Sequence, residues 1–218
     1  MSKKKDIEID DMGLVPELFD GKHQVIPIIS GGDDTIEDVK IPEVLPILTL
    51  RSSVIFPGSV TPITVGRPKS IALVRAVDAE GGILGAVLQV DSNVEDPQPD
   101  DMHKIGTSAR ILKILDMPNG NLTVILAGLE KIEVGEYITT QPYFKATITP
   151  IQDSTPDTKN VEFTALVESI KEVALSIIDI SSTMPKEAAF AIKNLDSSRA
   201  IINFICTNME LSDDDRQH

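Results

Sequence analysis

Tryptophan is absent, and six Phe and two Tyr make up the remaining large aromatic set of the 218-residue chain. There is one cysteine, so no internal disulfide can form. Cys206 follows an apolar stretch, Ile201 to Ile205, which predicts a buried thiol rather than a reactive one. Three histidines occur, His23, His103 and His218, and none has a His or Cys partner at metal-ligand spacing. Positive charge is scarce: twenty Lys and Arg face thirty-four Asp and Glu, for a net charge of −14. Nucleic-acid affinity comes mostly from Lys and Arg neutralising phosphates, so this balance opposes a nucleic-acid partner. It opposes an anionic membrane surface for the same reason. No run of about 18 apolar residues exists, so no bilayer-spanning helix is expected.

What remains is globular in composition: 41% apolar and 25% charged residues, enough to bury a core. The length fits one large domain or two small ones. The acidity is uneven. Residues 1–40 hold five Lys against ten Asp and Glu, and residues 210–218 hold Arg216 against Glu210, Asp213, Asp214 and Asp215. Both ends read as solvated tails, and 1–40 as an acidic extension, largely disordered. The opening Lys3-Lys4-Lys5 precedes acidic residues instead of an apolar stretch, unlike a secretory leader, so a cytoplasmic location is expected.

From Ile41 the pattern is that of strands. Val44 to Leu50 is a β-type run, with Pro46 demoting it to an edge or bulged strand. Val54-Ile55-Phe56 reads as a short strand ending at Pro57-Gly58, and Val60 to Val65 as another. Pro68 opens a helix carrying Ile71, Val74 and Val77, stopped by Gly81-Gly82. Ile83 to Val90 is a continuous apolar run with Gly85 inside, the mark of a buried strand. Asn93 to Asp101 is an acidic surface loop. Ala109 to Leu115 and Leu122 to Gly128 flank Met117-Pro118-Asn119-Gly120, where Asn-Gly favours a type I′ hairpin turn. Glu130–Ile138 and Tyr143–Ile151 read as two further strands, with Pro142 and Pro150 at edges.

After Ser154 the period becomes helical. Phe163, Leu166, Val167, Ile170, Val173, Ala174 and Ile177 fall on one helix face. Ser181 to Glu187 offers caps for a second helix to about Lys193, and Asp196 for a third carrying Ile201, Phe204 and Ile205. The chain thus divides into an extension at 1–40, a β-rich part at 41–153, a helical part at 154–211 and an acidic tail at 212–218.

Catalytic patterns are missing. Gly66-Arg67-Pro68-Lys69-Ser70 ends like a phosphate loop but lacks its glycine spacing, and Pro68 removes an N–H that would hold phosphate. No Gly-x-Ser-x-Gly elbow occurs. Glu95, Asp96, Asp100 and Asp101 lack the order and glycine of a calcium loop. No catalytic, cofactor-binding or metal-ligating residue is assigned, which points to a binding or structural module.

Three ordered blocks resemble the amino-terminal domain of Lon proteases. The first runs from Leu45-Pro46-Ile47 through Arg51 and Phe56-Pro57-Gly58 to Val65-Gly66-Arg67-Pro68-Lys69-Ser70-Ile71. The second is Gly106-Thr107-Ser108-Ala109, the Met117-Pro118-Asn119-Gly120 hairpin and Gly128-Leu129-Glu130-Lys131. The third is Met184-Pro185-Lys186-Glu187 with Leu195-Asp196-Ser197-Ser198-Arg199. Ile47 replaces a usual Leu, Leu48-Thr49 separate it from Leu50-Arg51 as in an altered or bulged strand, Lys131 stands where the family often has Arg, and the extension has no counterpart in compact members.

The resemblance implies an α+β fold: a PUA-like β pseudo-barrel followed by a helical subdomain. It implies a truncated chain that recognises unfolded or degron-bearing protein substrates for an ATP-dependent serine protease. ATP, Mg and the Ser–Lys peptidase belong to that parent, expected to be a homohexamer, while this piece is expected to be a monomer or weak dimer. Candidate substrate contacts are the apolar residues at turns: Phe56 and Pro57, Met117 and Pro118, Tyr143 and Phe144. Each also suits simple core packing. Two other functions suit the fold, a stand-alone adaptor or ligand-binding protein, and an RNA binder, the latter opposed by the charge.

Overall fold

The computed structural model describes residues 40–151, 160–181, 187–195, 197–208 and 212–217. All but Lys40 of the acidic extension, and the linker at 152–159, lie outside this set. In chain order come β1 (Val44–Leu50), β2 (Val60–Val65), α1 (Pro68–Glu80), β3 (Ile83–Leu88), β4 (Ile105–Asp116), β5 (Leu122–Thr139) and β6 (Lys145–Pro150). Then follow α2 (Val161–Ile180), α3 (Glu187–Lys193), α4 (Ser198–Asn208) and α5 (Asp213–Gln217). The fold is α+β.

The strands form one mixed sheet in the order β2-β5-β4-β3-β1-β6, and β6 also pairs with β5. The sheet therefore closes on itself, with β2 attached outside the closure. Of the two expectations for β1, an edge or a bulged strand, the edge fails: β1 is internal, between β3 and β6. Its residues 44–46 pair with β6 and 47–50 pair in parallel with β3. Pro46 sits where the strand changes partner, so its missing N–H interrupts neither ladder.

Both faces of the sheet are buried. Leu84, Ala86 and Leu88 of β3 pack with Leu73, Val74 and Val77 of α1, while Val87 joins Leu45, Ile47, Ile132 and Phe144 in a second cluster. That two-sided burial is why β3 reads as an unbroken apolar run.

Three local expectations change. Val54–Pro57 is an irregular turn, not a strand: Thr107 Oγ1 donates to the Ile55 carbonyl at 2.6 Å and Ser59 Oγ to the Phe56 carbonyl at 2.7 Å. The turn lies so close to Gly128 that a Cβ there would stand 2.3 Å from the Phe56 carbonyl oxygen. Second, that glycine marks close approach and not a strand end. The two strands expected at 122–128 and 130–138 are therefore the single 18-residue β5. Third, the hairpin turn is not type I′. Only Gly120 adopts positive φ, +82°, and its N–H donates to the Met117 carbonyl at 3.0 Å. Pro118 and Asn119 keep negative φ, and proline can adopt no other sign.

The helices build a separate small core of Val167, Ile178, Ile192, Leu195, Ile201 and Phe204. On α2 the inward line runs through Val167 and Ile178, both buried, and the half-buried Ala174. Leu166, Val173 and Ile177, expected on the buried face, are 59%, 59% and 51% exposed. The helix has a broader apolar arc than the two short helices α3 and α4 can cover. Asn203 Nδ2 donates to the Pro57 carbonyl at 2.9 Å and Gln217 Nε2 to the Ile105 carbonyl at 2.9 Å, tying α4 and α5 to the β part. Gln217 thus belongs to a docked helix within the segment expected as an acidic tail.

Candidate functional site

The first candidate cavity, about 380 Å³, lies at the start of α1. Ile47, Leu73, Tyr143 and Phe144 give it an apolar lining, and Arg67, Lys69, Glu95 and Asp96 supply charge around it. Phe144 is 5% exposed and stacks edge-on against Tyr137, with ring centroids 5.5 Å apart, so most of its surface serves packing. Tyr143 is half-buried, and the Lys145 ammonium lies 5.7 Å from its ring centroid.

Pro68 and Lys69 begin α1, as the sequence indicates. Lys69 is not free in solvent, however. It pairs with Asp96 at 2.7 Å and lies 5.8 Å from the Phe144 ring centroid. The Asp96 contact brings the acidic loop over the cavity. Asp101 of that loop is engaged locally, accepting from the Gln98 N–H at 2.8 Å.

The residue that sequence reasoning missed is Arg67. Its guanidinium donates to Gln89 Oε1 at 2.7 Å and to the Val94 carbonyl at 3.1 Å. Gln89, 2% exposed, in turn donates to the Asp91 and Val94 carbonyls. These bonds fasten the 91–94 stretch to the end of β3 and the entry to α1. Burial pushes the Arg67 pKa down, nearby Arg51 adds to this, and Asp96 and Glu95 oppose it. The only trace in the sequence is a polar Gln at the end of an apolar strand.

Phe56 and Pro57 line a second cavity of about 330 Å³, between the β part and α4–α5, with Lys131, Ile202, Cys206 and Arg216. Cys206 is half-buried rather than fully buried, and desolvation raises its thiol pKa. Met117 (43% exposed) and Pro118 stand at the exposed hairpin tip, beyond either cavity. The Arg75–Asp116 ion pair ties the tip end of this hairpin, next to the turn, to α1. The three candidate pairs therefore occupy three places.

Among the described residues no cluster of three or more His, Cys, Asp or Glu side chains is placed to hold a metal, and no helix is long and apolar enough to cross a membrane.

Comparison with known proteins bears on what this arrangement serves. Residues 44–218 match the family described as the ATP-dependent protease La (LON) substrate-binding domain. The chain is 44% identical over its whole length to the Lon protease of Flavobacterium johnsoniae, covering 26% of that protein. It is 34% identical over 205 residues to that of Parabacteroides distasonis, covering 92% of this chain and 25% of that one. It thus spans about a quarter of these relatives. The N-terminal domain of Mycobacterium avium complex Lon protease shares the fold, with a TM-score of 0.63 at 20% identity over 80% of this chain and 88% of that one.

Proposed function

Since the chain belongs to the family of LON substrate-binding domains, we propose that it captures unfolded or degron-bearing proteins for an ATP-dependent serine protease and does no chemistry itself. The observation that carries this is the apolar cavity beside Tyr143 and Phe144, ringed by charge. Its 380 Å³ suits one large apolar side chain of an extended client, and a rim of both signs tolerates varied flanking residues. Phe56-Pro57 and Met117-Pro118 add further apolar contacts at separate places. Several weak contacts on one module, multiplied over copies of a homohexameric parent, give avidity without tight binding at any one point. Alone, the module is a monomer or weak dimer. It requires no cofactor; ATP and Mg serve the parent. With its single cysteine it suits the reducing cytoplasm.

The test is titration of a permanently unfolded, fluorescently labelled protein with the 218-residue chain. Tyr143→Ala is expected to weaken binding about tenfold, the equivalent of about 1.4 kcal/mol. Met117→Asp, at an exposed position that leaves the core intact, is expected to weaken it about threefold. Affinity unchanged in both variants would remove these contacts, and no binding by the unsubstituted 218-residue chain would remove the function.

A further inference from the structure

The most exposed apolar surface lies on α2, outside both cavities. Leu166, Ile170, Val173, Ile177 and Ile180 follow one another in steps of four, three, four and three residues. That is the spacing of a helix seam that receives a second helix. The line is about 21 Å long at 1.5 Å per residue. Leu166, Val173, Ile177 and Ile180 are each more than half exposed, Ile180 at 83%. Single exposed apolar residues are ordinary, but a continuous line at seam spacing is a contact surface.

The surface beside this line is equally ordered. Next come Ala165, Ser169 and Ser176, all small and exposed. Ser169 Oγ donates to the Ala165 carbonyl and Ser176 Oγ to the Glu172 carbonyl, both at 2.9 Å. Their hydroxyl hydrogens are thus committed within the helix, which lets a partner approach closely. Beyond them Glu168, Glu172 and Asp179 form an exposed acidic line. From one side to the other, α2 presents apolar, small and acidic residues.

We propose that this surface of α2 docks a cationic amphipathic helix of a client protein, its apolar face on the Leu166–Ile180 line and its Lys or Arg residues toward Glu168, Glu172 and Asp179. Charge complementarity selects this occupant over a second copy, because two copies would bring net negative surfaces together. The inference rests on the reading of the chain as a protein-recognition module and specifies one class of client for it.

The experiment uses the 218-residue chain and a labelled synthetic helix with Leu along one face and Lys on its flanks. The same peptide with Glu for Lys and an unfolded protein serve as companions. Val173→Asp with Ile177→Asp, at exposed positions, is expected to weaken Lys-peptide binding more than about tenfold while leaving the circular dichroism spectrum unchanged. Glu168→Lys with Glu172→Lys is expected to remove the preference for Lys over Glu flanks. Unchanged peptide binding by the Val173/Ile177 variant would overturn the proposal, as would equal binding of the two peptides. Concentration-dependent dimerisation lost in that variant, with no peptide binding, would assign the surface to a second copy instead. Binding of the unfolded protein without the peptide would overturn the inference and leave the recognition reading standing. Binding of neither would remove both.

Discussion

The two longest helices use their apolar residues in opposite ways. α1 has thirteen residues, and Leu73, Val74 and Val77 are each at most 2% exposed against the sheet. α2 has twenty, yet only Val167 and Ile178 are buried. A sheet offers a broad surface that covers the whole apolar arc of a helix. Two short helices cover only a narrow stripe, and the rest of the arc faces water. Apolar periodicity alone therefore does not tell how much of a helix is buried.

Substitutions can break this contrast. The largest expected effect is in the β part: Leu48→Ala, at a fully buried position, should cost about 3 kcal/mol in urea unfolding. A loss under about 1 kcal/mol would mean that the two cores are equally loose. Asn160→Ala comes next. Its side chain accepts from the Glu162 and Phe163 N–H groups at 3.0 and 3.2 Å, so losing this cap should cost about 1 kcal/mol, read from helix content and thermal melting.

A third effect appears only at alkaline pH. Burial raises the Tyr137 phenol from 10.0 to about 12. The unfolded chain releases this proton near pH 10 and the folded chain near pH 12, so stability holds below that window and falls as pH rises through it. Tyr137→Phe should flatten the fall in denaturation curves taken across the window. At neutral pH it should change little, since the buried hydroxyl has no partner among the described residues. The smallest effect is expected on the exposed side of α2: Ile177→Ser should shift stability by less than about 0.5 kcal/mol. A larger loss in the same assay would show that this face is packed in solution.

The element order was legible because it rests on local rules. Pro68 and the Gly81-Gly82 pair bracket α1, and the unbroken apolar run at Ile83 marks β3. Tyr143 and Phe144, flagged beside a proline, do line the first cavity. What escaped depends on segments far apart in sequence. Pro46 looks like an edge residue until β1 is seen to trade one partner for another. Gly128 looks like a strand end until the Phe56 carbonyl is seen beside it. Arg67 gives no sign of its role until Gln89 and Val94 meet it. In each case the deciding neighbour is set by tertiary assembly, not by the residues on either side.

The pairing of β1 with β6 also sets an order of events during synthesis. Leu45 meets Ala146, about a hundred residues later in the chain. The β4–β5 hairpin can form from neighbouring residues as soon as both arms leave the ribosome, and residues 47–50 of β1 can meet β3 soon after it is made, whereas the Val44–Pro46 end of β1 waits for β6 until nearly all of the β part has been made. Until then its outer edge stays open, and closing the sheet is a late step that seals the interior around Ile132 and Phe144.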